Sequence, residues 1–144
     1  MAEAFVMLVD DEIPFVETMT KRLEKRKLNI ISAFNGQEAL DKLAKNRNVD
    51  VVVLDVKMPG IDGIETLKAM KKSFPLIEVV MLTGHATIET AIEGMKQGAY
   101  DYLMKPCDIE QLMTKVKEAT EKKRNHEERI REAKVKEALS KHGL

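Results

Sequence analysis

The chain has 144 residues, 24 Lys/Arg balanced by 24 Asp/Glu, and 44% hydrophobic content, which bounds it to one domain with a proper core and argues for no particular charged partner. No apolar run approaches the length of a membrane span, and the opening MAEAFVMLVDDE lacks the basic start and cleavage pattern of a signal peptide, so a membrane or secreted protein is not expected. The single cysteine, Cys107, excludes an internal disulfide and fits a reducing compartment such as the cytoplasm.

The first element is the apolar run Phe5-Val6-Met7-Leu8-Val9, which ends on Asp10-Asp11-Glu12. Phe15, Met19 and Leu23 then repeat every four residues, the spacing of an amphipathic helix. Asn29-Ile30-Ile31-Ser32-Ala33 is the second run, and Asn35 with Glu38 three residues later has a capping-box layout before the stripe Ala39, Leu40, Leu43. The third run, Val51 to Leu54, ends on Asp55 and the turn segment MPGIDG, in which Pro59-Gly60 and Asp62-Gly63 are strong turn pairs. Ile64, Leu67 and Met70 mark a third helix. Ile77 to Leu82 is the fourth run and leads into Thr83-Gly84. Ile88, Ala91, Ile92 and Met95 form a fourth stripe, closed by Gly98 where a C-terminal glycine is favoured. Tyr102-Leu103-Met104 is the fifth run, ending on Lys105-Pro106. Asp108 is a good N-cap, with Gln111 at N3, for a fifth helix that packs through Leu112, Val116 and Ala119.

Five strands and five helices in strict alternation predict an α/β fold with a parallel sheet covered on both faces. In such sheets ligands lie beyond the carboxyl ends of the strands. Those ends carry Asp10 and Asp11, Asp55, Thr83, and Lys105. A buried lone carboxylate is costly unless it is paired or bound to a metal. Two carboxylates about 4 Å apart repel by roughly 4 kcal/mol at an effective dielectric near 20, and one lysine leaves three of them net negative. A hard divalent cation relieves this, and a partly open site lined by oxygen suits Mg²⁺. The same groups are what phosphoryl transfer needs: a carboxylate nucleophile in Asp55, cations to neutralise the phosphoryl oxygens, and a hydroxyl donor in Thr83. Singly, each of these residues reads as a turn, a cap or a solvated side chain. Their conjunction on four strand ends carries the inference.

The motifs LVDDE, VVVLDVKMPGIDG, VVMLTGHA and GAYDYLMKP resemble those of the receiver domain of bacterial two-component response regulators. The likeness covers about residues 4 to 118, and its phrasing from TGHATIET to CDIEQL is most similar to receivers of nitrogen-regulation-type AAA+ transcription activators. The resemblance implies a flavodoxin-like, doubly wound (βα)5 fold with strand order 2-1-3-4-5. It implies Asp55 as phosphoacceptor, with Asp11, Asp55 and the Lys57 backbone carbonyl as direct Mg²⁺ ligands and Asp10 acting mainly through water. Thr83 would hydrogen-bond the phosphoryl group, Lys105 would pair with it, and Tyr102 matches the aromatic switch position. Lys105–Pro106 is expected to be cis. The side chains of Lys57 and His85, two residues after Asp55 and Thr83, are candidates for modulating dephosphorylation. The implied donor is a sensor histidine kinase or a phosphotransfer protein. The implied output is a changed face of the fourth helix, fifth strand and fifth helix, controlling a homodimer or a downstream partner in transcription regulation. Neither membrane contact nor direct nucleic-acid binding by the receiver is expected.

Residues 117–144 hold nine Lys/Arg against six Asp/Glu, so the tail is compositionally distinct, and the division expected is a receiver at 1–120 and a charged helical extension or linker at 121–144. Nothing stops the fifth helix before Gly143, and a helix from 108 to 142 is about 52 Å long. Glu118/Lys122, Glu127/Arg131, Glu132/Lys136 and Glu137/Lys141 have the favoured i,i+4 order. Three readings remain open for it: a solvated helix, a weak coiled coil with a second subunit, or contact of Lys122-Lys123-Arg124 with nucleic acid.

Two alternatives stand beside the phosphoacceptor reading. One is a receiver fold used as an unphosphorylated interaction module, against which the full residue set argues. The other is a Mg²⁺-dependent aspartyl-phosphate phosphatase like the haloacid dehalogenases. Those carry an acid/base Asp two residues after the nucleophile, where this chain has Lys57. A phosphoacceptor switch, rather than an enzyme that turns over external substrate, is the expectation.

Overall fold

Strands β1 (Phe5–Val9), β2 (Asn29–Ala33), β3 (Val51–Leu54), β4 (Glu78–Thr83) and β5 (Asp101–Met104) form one parallel sheet in the order β2-β1-β3-β4-β5. They alternate with α1 (Ile13–Glu24), α2 (Gly36–Lys45), α3 (Gly63–Ser73), α4 (Ile88–Lys96) and α5 (Ile109–Lys141). This is the flavodoxin-like arrangement expected from the alternation and the resemblance. The computed structural model describes residues 3–142.

The period-two alternation of the strands sorts the core into two layers. Val6, Leu8, Val51, Val53, Val80 and Leu82 point to α1 and α5, where they meet Val16, Met19, Leu23, Leu112, Val116 and Ala119. Met7, Val9, Val52, Leu54, Val79 and Met81 point the other way, to Ala39, Leu43, Leu67 and Met70. Strands β3 and β4 are buried along their whole length, which is why β3 reads as an unbroken apolar run and β4 is apolar between Glu78 and Thr83.

Capping fixes where the helices begin. The Asn35 carboxamide accepts from Glu38 N at 2.8 Å, and Glu38 returns the bond to Phe34 N at 3.2 Å rather than to Asn35 itself. Asp62 caps α3 through Glu65 N at 2.9 Å. Thr87 and Thr90 form a reciprocal capping box at the start of α4, which the apolar spacing alone did not reveal. Asp108 caps α5 through Glu110 N at 2.9 Å, one residue earlier than Gln111.

Two helical stripes depart from expectation. On α1 the buried stripe is Val16, Met19 and Leu23, while Phe15 stays half-buried at the margin of that layer. On α4 the apolar residues face outward: Ile88 is 81% exposed, Ile92 51% and Met95 47%, with Met104 of β5 at 59%. Helix α4 seats on the domain through Gly94, its buried residue, which faces the Tyr102 ring.

Helix α5 runs on for 33 residues. Its root is tied to the amino-terminal edge of the sheet by ion pairs. Buried Lys123 reaches Asp50 Oδ1 at 3.2 Å, Arg124 reaches Asp50 Oδ2 at 3.0 Å, and Lys122 reaches Glu78 at 3.4 Å. The basic cluster is therefore engaged by the domain's own carboxylates, which counts against the nucleic-acid reading. Burial pushes the Asp50 carboxyl up, but the Arg124 guanidinium, the Phe5 N–H and Lys123 together hold it below its ordinary value. Among the described residues Glu127 pairs with Lys123 and Arg131 with Glu128, while Lys141 takes the expected partner Glu137 at 3.4 Å. Beyond Arg124 the side chains are exposed except half-buried Ile130. Gly143, expected to end the helix, lies outside the described residues. No helix among the described residues is long and apolar enough to cross a membrane.

Candidate functional site

The register of the sheet brings the polar strand ends together. Asp55 N donates to Val9 O at 2.9 Å, which sets the end of β3 against the end of β1. Lys105 N donates to Thr83 O at 2.9 Å, which does the same for β5 and β4. Asp10, Asp11 and Asp55 each offer a carboxylate oxygen, and these oxygens lie within 4.8 Å of one another. Asp10 and Asp55 are buried and Asp11 is exposed, so the cluster has a closed floor and an open mouth. Hard oxygen donors, net negative charge and an open side fit a divalent cation such as Mg²⁺, which retains waters. The cluster is positioned to coordinate one.

Lys105 supplies the cation. Its ammonium donates to Asp10 Oδ2 at 2.6 Å and to Glu12 Oε1 at 3.2 Å, and lies 4.0 Å from Asp55 Oδ2. The ring centroid of Phe15 is 4.0 Å away on another side. Burial lowers the affinity of this amine for its proton, but Asp10, Asp55 and Glu12 more than offset that and hold its pKa above the ordinary value. For Asp10 the balance differs: burial and the Asp55 charge push its carboxyl up further than Lys105 and the Glu12 N–H pull it down. One ammonium thus leaves the cluster under-neutralised.

The backbone is shaped around Asp55. Its Oδ1 accepts from Val56 N at 2.8 Å, and the turn after it folds back so that Gly63 N reaches Val56 O. A Cβ on Gly63 would sit 2.0 Å from the Asp55 carbonyl oxygen, so the glycine of MPGIDG is there for close approach. Thr83 is fully buried, and its hydroxyl accepts from His85 N at 3.1 Å. Lys57 and the His85 side chain are exposed at the rim. Tyr102 is half-buried, with its hydroxyl 2.9 Å from Thr90 Oγ1. The Lys105–Pro106 peptide bond is cis.

Three participants were not singled out from sequence. Glu12 was visible only as the third acid of DDE. The four-residue spacing of Phe15 with Met19 and Leu23 is that of a packing stripe and points to a core residue. Thr90 follows Thr87 by three, the one pattern that could have announced its capping role.

The family described as response regulator receiver domain matches residues 6–117. The DNA-binding transcriptional regulator NtrC of Escherichia coli K12 is 34% identical over 119 residues, covering 83% of this chain and 25% of that protein. Among solved structures, a response regulator receiver domain protein from Clostridium thermocellum superposes with a TM-score of 0.80 at 33% identity, covering 84% of this chain and 97% of that one. The CheX–CheY–BeF3–Mg²⁺ complex from Borrelia burgdorferi gives a TM-score of 0.74 at 29% identity, covering 78% of this chain and 86% of that one. The chain spans about a quarter of the length of the curated relatives it matches.

Proposed function

The chain belongs to the response regulator receiver family, and from that premise we infer that it is a phosphorylation-driven switch in which Asp55 accepts a phosphoryl group from the phosphohistidine of a sensor kinase or phosphotransfer protein in the cytoplasm. The observation that carries this is the cluster itself: three carboxylates within 4.8 Å of one another, with one ammonium between Asp10 and Asp55.

The residues divide the work as follows. An Asp55 carboxylate oxygen attacks phosphorus, the bond to the donor imidazole nitrogen breaks, and an acyl phosphate remains on Asp55. Lys105 lies between Asp10 and Asp55 and can turn from carboxylate oxygens to phosphoryl oxygens. Thr83 offers a hydroxyl that accepts from His85 N and can donate its own proton to a phosphoryl oxygen. Mg²⁺, when held by Asp11, Asp55 and the Lys57 carbonyl with Asp10 acting through water, supplies further neutralisation of phosphoryl charge. At the rim Lys57 and His85 are placed to influence the water that later hydrolyses the acyl phosphate. The position two residues after Asp55, where haloacid dehalogenases carry their acid/base Asp, is Lys57, which argues against turnover of external esters.

Movement of Thr83 toward the phosphoryl group frees space into which Tyr102 turns, and the face of α4, β5 and α5 changes shape. That face carries the exposed residues Ile88, Ile92, Met95 and Met104. The helical extension carries Val135 and Leu139, which are also exposed. A homodimer through this face and the extension, regulating transcription by a larger protein, is the output these features support. On this reading residues 1–120 are the receiver and 121–144 the extension.

The test is intact mass after incubation with Mg²⁺ and acetyl phosphate, for wild type and Asp55→Asn, with size-exclusion chromatography on the same samples. One phosphoryl group on wild type alone is expected, with earlier elution if dimerisation is the output. A wild type that binds Mg²⁺ yet gains no phosphoryl group would leave the fold as an unphosphorylated interaction module.

A further inference from the structure

Phe15 is off the core stripe of its own helix. Val16, Met19 and Leu23 fill the α1 side of the core, while Phe15 stands half-buried with its ring centroid 4.0 Å from the Lys105 ammonium. The ring lines a groove of about 340 Å³ together with Met19, Arg22, Leu82, Lys105, Pro106 and Cys107, so Phe15 and Lys105 share one wall of open space beside the site. An ammonium on a flexible four-carbon stem needs lateral restraint to stay over one oxygen.

The other partners of Lys105 are carboxylates, Asp10 at 2.6 Å and Glu12 at 3.2 Å. Each competes with an incoming phosphoryl group for the same cation. A neutral aromatic face attracts the cation without adding negative charge to a cluster that already has too much. It can keep hold of the ammonium while Lys105 exchanges carboxylate oxygens for phosphoryl oxygens. Leucine or methionine at position 15 would keep an apolar, somewhat smaller side chain there without this attraction.

We propose that Phe15 is a positioning residue for phosphoryl transfer, its ring face holding the Lys105 ammonium beside Asp55 before and after the group arrives. The inference rests on the reading of Asp55 as acceptor and Lys105 as the cation that receives the phosphoryl oxygens.

The experiment measures the rate of phosphorylation by acetyl phosphate at saturating Mg²⁺, followed by intact mass. The variants are Phe15→Tyr, Phe15→Leu, and full chains carrying one, two or three fluorines on the Phe15 ring. Fluorine drains the ring face of negative potential at nearly constant shape. The expected result is a Tyr variant close to wild type and a Leu variant roughly three- to tenfold slower, the size of one partly desolvated cation–π contact. The fluorinated proteins should slow stepwise with unchanged melting temperature, and Phe15→Leu should have no further effect on a Lys105→Met background. A flat fluorine series, or an equal loss from Phe15→Leu in the Lys105→Met background, would reduce Phe15 to packing and overturn the proposal. A readout independent of phosphorylation is the ring-current shift of the Lys105 ε-methylene protons, which should move upfield in wild type and lose that shift in Phe15→Leu. Unshifted protons in wild type would remove the contact and the proposal, with Asp55 phosphorylation intact. No phosphoryl adduct on wild type would instead remove the acceptor reading on which the proposal stands.

Discussion

Gly63 begins α3 directly against the backbone of the acceptor, and the absence of one methyl group there sets how Asp55 is held. Gly63→Ala would place a Cβ 2.0 Å from the Asp55 carbonyl oxygen, against backbone that has no flexible end to swing away. Overpacking of this kind costs about 1–3 kcal/mol, and the strain falls on Asp55 itself. The expected result is a lower melting temperature together with slower phosphorylation, and a variant altered in neither would show that the turn relaxes freely. Asp55→Asn has the opposite sign. Removing one charge from the carboxylate cluster should raise stability without Mg²⁺ by roughly 1–2 kcal/mol, the part of the repulsion that Lys105 does not offset, and should shrink the stabilisation Mg²⁺ gives. Thermal melts with and without Mg²⁺ read both effects, and a variant that melts lower under both conditions would contradict the repulsion argument. The carboxylates, Thr83 and Lys105 were legible in the sequence because each ends a strand. Glu12 and Phe15 were not, because what they do depends on Lys105, ninety or more residues away along the chain.

Helix α4 is where pattern and orientation part company. Its stripe of Ile88, Ala91, Ile92 and Met95 identified a helix correctly, but an apolar stripe looks the same whether it meets its own core or a partner. The structure resolves the ambiguity through Gly94, which turns the small side of the helix inward to the Tyr102 ring. The amino end of this helix is also linked to the proposed switch. Thr90 completes the capping box with Thr87 and bonds the Tyr102 hydroxyl at 2.9 Å, a bond that the proposed inward turn of Tyr102 would have to exchange. Thr90→Val should remove both bonds at once. Thr87 still caps Thr90 N, so only the reciprocal half of the box is lost, at about 0.5–1 kcal/mol, and amide hydrogen exchange at the amino end of α4 should quicken accordingly. Phosphorylation of Asp55 should persist while the Tyr102 ring shifts its rotamer population before any phosphoryl group is present, a change that NMR of the ring reads. An unchanged ring would uncouple Thr90 from the switch. Tyr102→Ala should likewise be phosphorylated normally but give a blunted response on α4, and loss of phosphorylation itself would count against Tyr102 as the coupling residue.

Across the whole molecule, β3 and β4 each serve two ends. At their carboxyl ends lie Asp55 and Thr83; at their amino ends Asp50 and Glu78 hold the root of α5. The strands, their order and the length of α5 were legible from local pattern. This anchorage was not, since Asp50 and Lys123 are 73 residues apart and a basic triplet on a helix looks solvated until its partners are known. Asp50→Ala would leave Lys123 buried with only Glu127 opposite it, and breaking a buried pair in this way should cost about 3 kcal/mol in urea unfolding at neutral pH. The pH dependence follows from the depressed carboxyl. Between its ordinary value of 3.8 and its lower folded value, the unfolded chain binds the proton that the native state refuses. Asp50 therefore adds stability at higher pH, and that contribution is lost as pH falls through this window. Asp50→Asn should be less stable at neutral pH but lose less on acidification to about pH 3; parallel losses in the two proteins would put the acid sensitivity elsewhere. The same anchorage gives the bare part of α5 a mechanical meaning. From residue 125 to 141 the helix projects about 25 Å at 1.5 Å per residue, clamped at its base. Such a clamped rod is a lever: a tilt of about 5° at the base sweeps its tip by roughly 2 Å, enough to shift whatever is joined there out of register with a partner.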